Sequence, residues 1–249
     1  MARSTESLRT HRSPPEGQAP PGGLRPSDAR LTGLFYLALV VTGVLSFLVI
    51  RPMIFDPGDP AATMAAVADS QPLARAGVAL ELATATTQAL CALWFYRIFR
   101  AVDTFLAGAI AIFGMVNAVA ILASAAMLAT ALDLVLSAGT GAAPATAFSQ
   151  TMYLISENLW MAGNVFFGLW LIPMGLVARR SGWTPRVLPQ LLVLGGILYT
   201  ANAFIAVLAP TLPQGAEVAL TAPATAAELW MLGWLLWRGA RRAHSEPHS

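Results

Sequence analysis

Six stretches of this chain stay apolar over roughly the twenty residues that a helix needs to cross the hydrocarbon core of a bilayer. Nothing else in the sequence limits the fold as strongly. Lipid offers no hydrogen-bond partner to a peptide group, so each stretch must satisfy its own backbone, and only a helix or a closed barrel does so. Runs of this length read as helices. The expected architecture is all-α, a polytopic membrane protein built as a six-transmembrane-helix bundle. The predicted spans lie near residues 30–50, 73–96, 105–132, 150–178, 187–209 and 218–237. Residues 51–72, with Pro52, Pro57, Pro60 and Pro72, read as the first long loop. Residues 1–28 are rich in Pro, Gly, Ser and Arg and read as a disordered tail, 29–240 as the transmembrane domain and 241–249 as a second tail. A signal peptide is disfavoured, because the first apolar run opens only at Leu31 and exceeds a typical signal core.

Charge supports the same class and sets a direction. Only 11% of the residues are charged, against about 25% in soluble domains. All fifteen basic residues are arginines. They are scattered over loops with no basic stripe on a polar helix, so nucleic acid is not an expected partner. With both termini on one side, every arginine except Arg51 and Arg75 falls on that side. Positive charge is retained in the cytoplasm, so both termini are expected to be cytoplasmic in a multi-pass protein of the cell membrane. The single cysteine, Cys91, excludes an internal disulfide and a multi-cysteine metal site. The histidines, His11, His244 and His248, all fall in the tails, and no nucleotide-binding or metalloprotease motif occurs. No metal and no cofactor are expected. In the third span Gly114 with Ala118, and Ala125 with Ala129, form small-xxx-small pairs suited to close helix packing.

Against this apolar background three glutamates stand out: Glu81, Glu157 and Glu228. An acidic residue at membrane depth costs roughly 2.5–3.5 kcal/mol on insertion scales and marks a candidate functional site. Positions i, i+3, i+4 and i+7 share one helical face. Glu81, Thr84 and Gln88 therefore form one polar stripe, and Glu157, Trp160, Met161 and Asn164 another. Thr221, Thr225 and Glu228 make a third; Asn117 shares a face with Ser124, and Tyr199 with Asn202. Stripes of this kind should turn away from lipid. The expected site is a pocket in the outer half of the bundle lined by Glu81, Gln88, Asn117, Glu157, Trp160, Asn164, Tyr199, Asn202 and Glu228. At about 1.5 Å per residue, Glu228 sits roughly 15 Å from Arg238 and Glu157 roughly 33 Å from Arg179. That places Glu228 near mid-membrane and Glu157 near the outer boundary.

Carboxyls so placed suit a transporter-like protein that handles a small molecule or ion, with a small lipophilic or cationic ligand. Six spans are few for a transporter, which makes a homodimer a candidate assembly. An alternative is a membrane-embedded acid/base enzyme, an isomerase or cyclase, acting on a lipophilic substrate. A third reading is a structural or sensory partner of other membrane proteins. The plainest reading of the glutamates is an interhelical clamp, with carboxyls held by Arg51, Arg75 or a tyrosine.

The loops and helix ends resemble a known family. The stretch Leu31-Thr32-Gly33-Leu34-Phe35-Tyr36-Leu37, then Arg51-Pro52, Asp59-Pro60-Ala61-Ala62-Thr63 and Leu73-Ala74-Arg75-Ala76-Gly77, resembles the bacterial integral-membrane family catalogued as domain of unknown function 4386. So do Phe166-Phe167-Gly168-Leu169-Trp170, Gly196-Ile197-Leu198-Tyr199 and Glu228-Leu229-Trp230. The most specific part is Arg180-Ser181-Gly182-Trp183-Thr184-Pro185-Arg186-Val187-Leu188. The likeness covers roughly residues 28–240. It implies a six-helix protein of the bacterial cytoplasmic membrane and supplies no activity.

Overall fold

The computed structural model describes residues 24–138, 143–209, 211 and 213–240. Both segments read as tails fall largely outside this range. The first helix already begins at Pro26, whose missing N–H costs nothing in a first turn. Among the described residues seven helices follow one another: α1 (Pro26–Ile54), α2 (Pro60–Asp69), α3 (Gln71–Phe99), α4 (Thr104–Ala138), α5 (Ala143–Ser181), α6 (Val187–Leu208) and α7 (Gln214–Ala240). All except α2 are long and apolar enough to span a membrane. The protein is an all-helical, six-span membrane bundle.

The spans form a closed ring. Each packs on its neighbour in sequence, and α1 closes the ring against α7. Small residues set the closest approaches, as expected where no hydrophobic force draws helices together within lipid. A Cβ on Gly195 would lie 2.6 Å from the Ala224 Cα, so α6 and α7 touch backbone to backbone. A Cβ on Gly196 would lie 2.7 Å from the Gly168 carbonyl oxygen, which joins α6 to α5 equally closely. On α4 the same role falls to Gly114, where a Cβ would meet the Ala92 Cβ at 2.8 Å.

Two apolar cores fill the ring at different levels. One surrounds Phe95, Phe99, Trp170, Met174, Leu192, Met231 and Leu235, toward the ends that carry the termini. The other joins Ile50, Ile54, Met64, Val67, Leu128, Leu132 and Tyr153 toward the opposite ends. Across the terminal face, Arg97 Nε reaches Asp28 Oδ1 at 3.1 Å, and Arg180 pairs with Asp103. After α5, Gly182 takes φ +64°, a left-handed value that favours glycine, and the Trp183 N–H is accepted by Ser181 Oγ at 3.2 Å. The Arg-Ser-Gly-Trp run is thus a helix-stop device.

The region read as the first loop differs from expectation. α1 runs on to Ile54, with π-helical geometry over Val44–Ile50 and the Arg51 N–H bonded to the Ser46 carbonyl five residues back. Pro52 explains the widened turn: its ring would clash with the carbonyl four residues earlier and it has no N–H to offer. Arg51 is therefore a buried helical residue and not a loop arginine. Helix α2 was not expected either. Asp59 Oδ1 accepts the Ala61 and Ala62 N–H groups, both at 2.9 Å, and Pro60 occupies the first turn. Pro60 and Pro72, which read as loop formers, instead open α2 and α3. For the same reason α5 begins at Ala143, inside the stretch read as loop.

Candidate functional site

Two polar clusters lie inside the ring, at different positions along it. The first is an ion pair. Arg51 Nη2 donates to Glu81 Oε1 at 2.5 Å and to Ser156 Oγ at 2.8 Å. Ser124 Oγ donates to Glu81 Oε2 at 2.8 Å and lies 2.8 Å from Ser156 Oγ. The cluster joins α1, α3, α4 and α5, and Glu81, Ser124 and Ser156 are fully buried. Arg51 Nε and Nη1 find no partner among the described residues. Beside them is a cavity of about 30 Å³ bounded by Ile50, Phe55, Leu128 and Tyr153. That volume suits a water molecule or two, which would complete the guanidinium's hydrogen bonds.

The second cluster lines a cavity of about 320 Å³ at the centre of the ring. All six spans contribute to its wall: Tyr36 and Phe47 from α1, Gln88 from α3, Asn117 from α4, Trp160, Asn164 and Phe167 from α5, Tyr199 from α6, and Glu228 from α7. Tyr36 Oη donates to Glu228 Oε1 at 2.6 Å, and both side chains are buried. Beneath this pair, Tyr36 meets Phe95 and Trp170 edge to face, with ring centroids 5.5 and 5.8 Å apart. The apolar core continues from there toward the termini. Tyr199 Oη donates to Asn164 Oδ1 at 3.4 Å.

The most telling side chain is Gln88. It is fully buried, lines the cavity, and neither its oxygen nor its nitrogen has a hydrogen-bond partner among the described residues. Trp160 Nε1 is likewise unpartnered. An unmet buried polar group costs about 1–3 kcal/mol. Several such groups around one space suit it to water or a polar ligand.

Phe47 and Trp160 stand between the two clusters. Their rings lie 4.8 Å apart; the Phe47 ring lines the central cavity, and the Arg51 guanidinium, which does not line it, sits 5.3 Å from the Phe47 centroid. The buried cation is thereby committed to Glu81.

Of the nine residues expected to share a pocket, Gln88, Asn117, Trp160, Asn164, Tyr199 and Glu228 do converge on the central cavity. Of the three glutamates, Glu81 and Glu157 do not join Glu228 there. Glu81 turns into the ion pair one turn before Thr84, which does line the central cavity. Glu157 is half-buried and lines neither cavity: it shares a face with Trp160 and Asn164 but lies a turn before Trp160, where the lining of the central cavity on α5 begins. Asn202 Oδ1 is buried without a partner, outside both cavities. The sequence reading passed over Tyr36 and Phe47. A phenol within an otherwise apolar first span was the available signal for Tyr36. Phe47 carried none, since its role depends on its neighbours.

No curated protein and no solved structure matches this chain. A family model does match, over residues 31–239, a range that reaches all six spans and takes in both clusters. The chain belongs to the family described as Domain of unknown function (DUF4386).

Proposed function

We propose that this protein binds a small molecule in the central cavity and carries it within or across the cell membrane. One observation supports this above others: a cavity of about 320 Å³ walled by all six spans, with Gln88 unpartnered and the carboxyl of Glu228 at its edge. A bundle needing only cohesion would fill that space with apolar side chains. The volume falls at the lower end of the roughly 300–1,000 Å³ typical of ligand sites. Both termini are assigned to the cytoplasm. Arginine asymmetry supports this orientation more strongly once Arg51 is counted inside the bundle, because Arg75 is then the remaining arginine on the opposite side.

The test is uptake of a labelled panel of small organic cations, amino acids and neutral metabolites into proteoliposomes. Wild-type protein should take up at least one class, and Glu228→Gln and Gln88→Leu should each lower that uptake about tenfold or more, a loss of about 1.4 kcal/mol. Uptake that survives both changes together refutes the reading.

The contact between Tyr36 and Glu228 favours a second reading, an acid/base enzyme acting on a lipophilic substrate. A carboxyl bonded to a phenol at 2.6 Å among aromatic faces is arranged to move a proton. Incubation with a membrane lipid extract would then yield a product that wild-type protein forms and Glu228→Gln does not. Absence of both uptake and turnover would leave a structural or sensory role, including one exercised as a homodimer.

A further inference from the structure

We infer that the ligand of the central cavity is an organic cation with an apolar body, an alkyl- or arylammonium, and that it reaches the cavity sideways from the bilayer between α1 and α7. The inference rests on the reading that this cavity binds a small molecule, and it adds the ligand's chemistry and its route.

Charge is the first ground. Among the described residues Glu228 is the acidic one on the cavity wall, and no arginine, lysine or histidine lines it. The nearest buried cation, Arg51, is held by Glu81 behind Phe47. Tyr36 gives the carboxyl one hydrogen bond but no charge. A carboxylate in such surroundings calls for a cation, since a buried charge is tolerated when it is paired. The rest of the wall suits an ammonium. The rings of Phe47, Trp160 and Phe167 offer aromatic faces, whose quadrupole attracts a cation placed over them. An ammonium brings donors and no acceptor. The free oxygen of Gln88 accepts from it, and the free nitrogen of Gln88 takes water or an oxygen of the ligand.

The route follows from how α1 and α7 diverge. Near the termini they are tightly joined, and a Cβ on Gly33 would lie 2.9 Å from Leu236 Cδ2. Farther along, the π-helical stretch Val44–Ile50 packs on α3, whereas Pro26–Gly43 packs on both α3 and α7. Val44 and Leu48 of α1, and Thr225 and Leu229 of α7, line the cavity and are all exposed, so its wall is open along this seam. Their exposed surfaces face the hydrocarbon of the membrane, and three of the four are apolar. On the side of the termini, the core around Phe95, Trp170 and Met231 closes the cavity. The polar head thus reaches Glu228 and Gln88 while a longer apolar body extends through the seam into lipid. A fully water-soluble solute finds no such rim.

Photolabelling of the full chain in nanodiscs tests this with three probes of one chain length, diazirine-tagged decylamine, decanol and decanoate. Decylamine should label the segments holding Val44–Leu48 and Thr225–Leu229 saturably, at about tenfold lower concentration than the other two. Benzylammonium should displace it and benzyl alcohol should not, a comparison that needs no variant. Glu228→Gln keeps the side-chain volume and should remove the preference for the amine over decanol. Leu229→Trp, at the seam, should slow labelling by all three. Equal labelling by the three probes, or an amine preference that survives Glu228→Gln, would overturn the cation while leaving small-molecule binding intact. Labelling as fast in Leu229→Trp as in wild type would overturn the sideways route. No saturable labelling by any probe would sink the inference together with the binding reading on which it rests.

Discussion

Removing either member of the Arg51–Glu81 pair should destabilise the bundle, and removing both should restore most of the loss. Glu81 is fully buried and its two oxygens are satisfied by Arg51 and Ser124. At an effective dielectric near 20, opposite charges about 4 Å apart attract by roughly 4 kcal/mol. Arg51→Met leaves the carboxyl with one hydroxyl, and Glu81→Leu leaves the guanidinium facing Ser156. Stranding one charge of a buried pair costs about 3–5 kcal/mol. The double variant strands neither. Ser124 and Ser156, already 2.8 Å apart, keep each other's hydrogen bond. Its stability should lie within about 1 kcal/mol of wild type, or above it, because apolar replacements of buried pairs are often neutral or stabilising. The assay is unfolding by denaturing detergent from mild micelles, followed by tryptophan fluorescence, with the four proteins forming a double-mutant cycle. Single variants within about 1 kcal/mol of wild type, or a double variant worse than either, would refute the assignment of this cluster as an interhelical clamp.

Other outcomes follow from the same contacts. Gly195→Val places carbon where the Ala224 backbone lies 2.6 Å away, so α6 and α7 must separate, at a cost of about 1–3 kcal/mol or more in the same titration. Gly182→Ala meets no neighbour but must hold φ +64°, and should cost about 1–2 kcal/mol. Gly215→Ala has equal space and no such backbone demand, and should be neutral or slightly stabilising. Arg180→Ala removes a pair whose arginine side chain is 58% exposed, so its loss should stay below about 1 kcal/mol and vanish in high salt. Native Cys91 is buried, so single cysteines at Arg186 and Ala61, both exposed, should react with an impermeant maleimide from opposite sides, Arg186→Cys only from the cytoplasm.

How far the site was legible varied with the kind of signal. Gln88, Asn117, Asn164 and Glu228 were found because a polar residue on a membrane helix has one sensible direction to face, and helical periodicity reveals which residues share it. Glu157 misled for the same reason. Near a membrane boundary a glutamate need not face inward, and periodicity does not tell depth. Arg51 was misplaced because Pro52, Pro57 and Pro60 looked like one loop. Pro52 lies inside a helix that accommodates it with a π turn, and Pro60 opens a helix.

By itself, the sequence determined that this chain crosses a membrane six times as helices, since long apolar stretches leave the backbone no other way to satisfy itself in lipid. It also determined which faces are polar, because that depends only on the 3.6-residue repeat. Tertiary structure alone decided how those faces are shared out. The closing of α1 against α7 created a central cavity, and a π turn swung Arg51 onto Glu81 and away from Glu228. Pairing a charge is a matter of a few ångströms between helices distant in sequence. No local pattern records which carboxyl the one buried arginine described in the structure will reach.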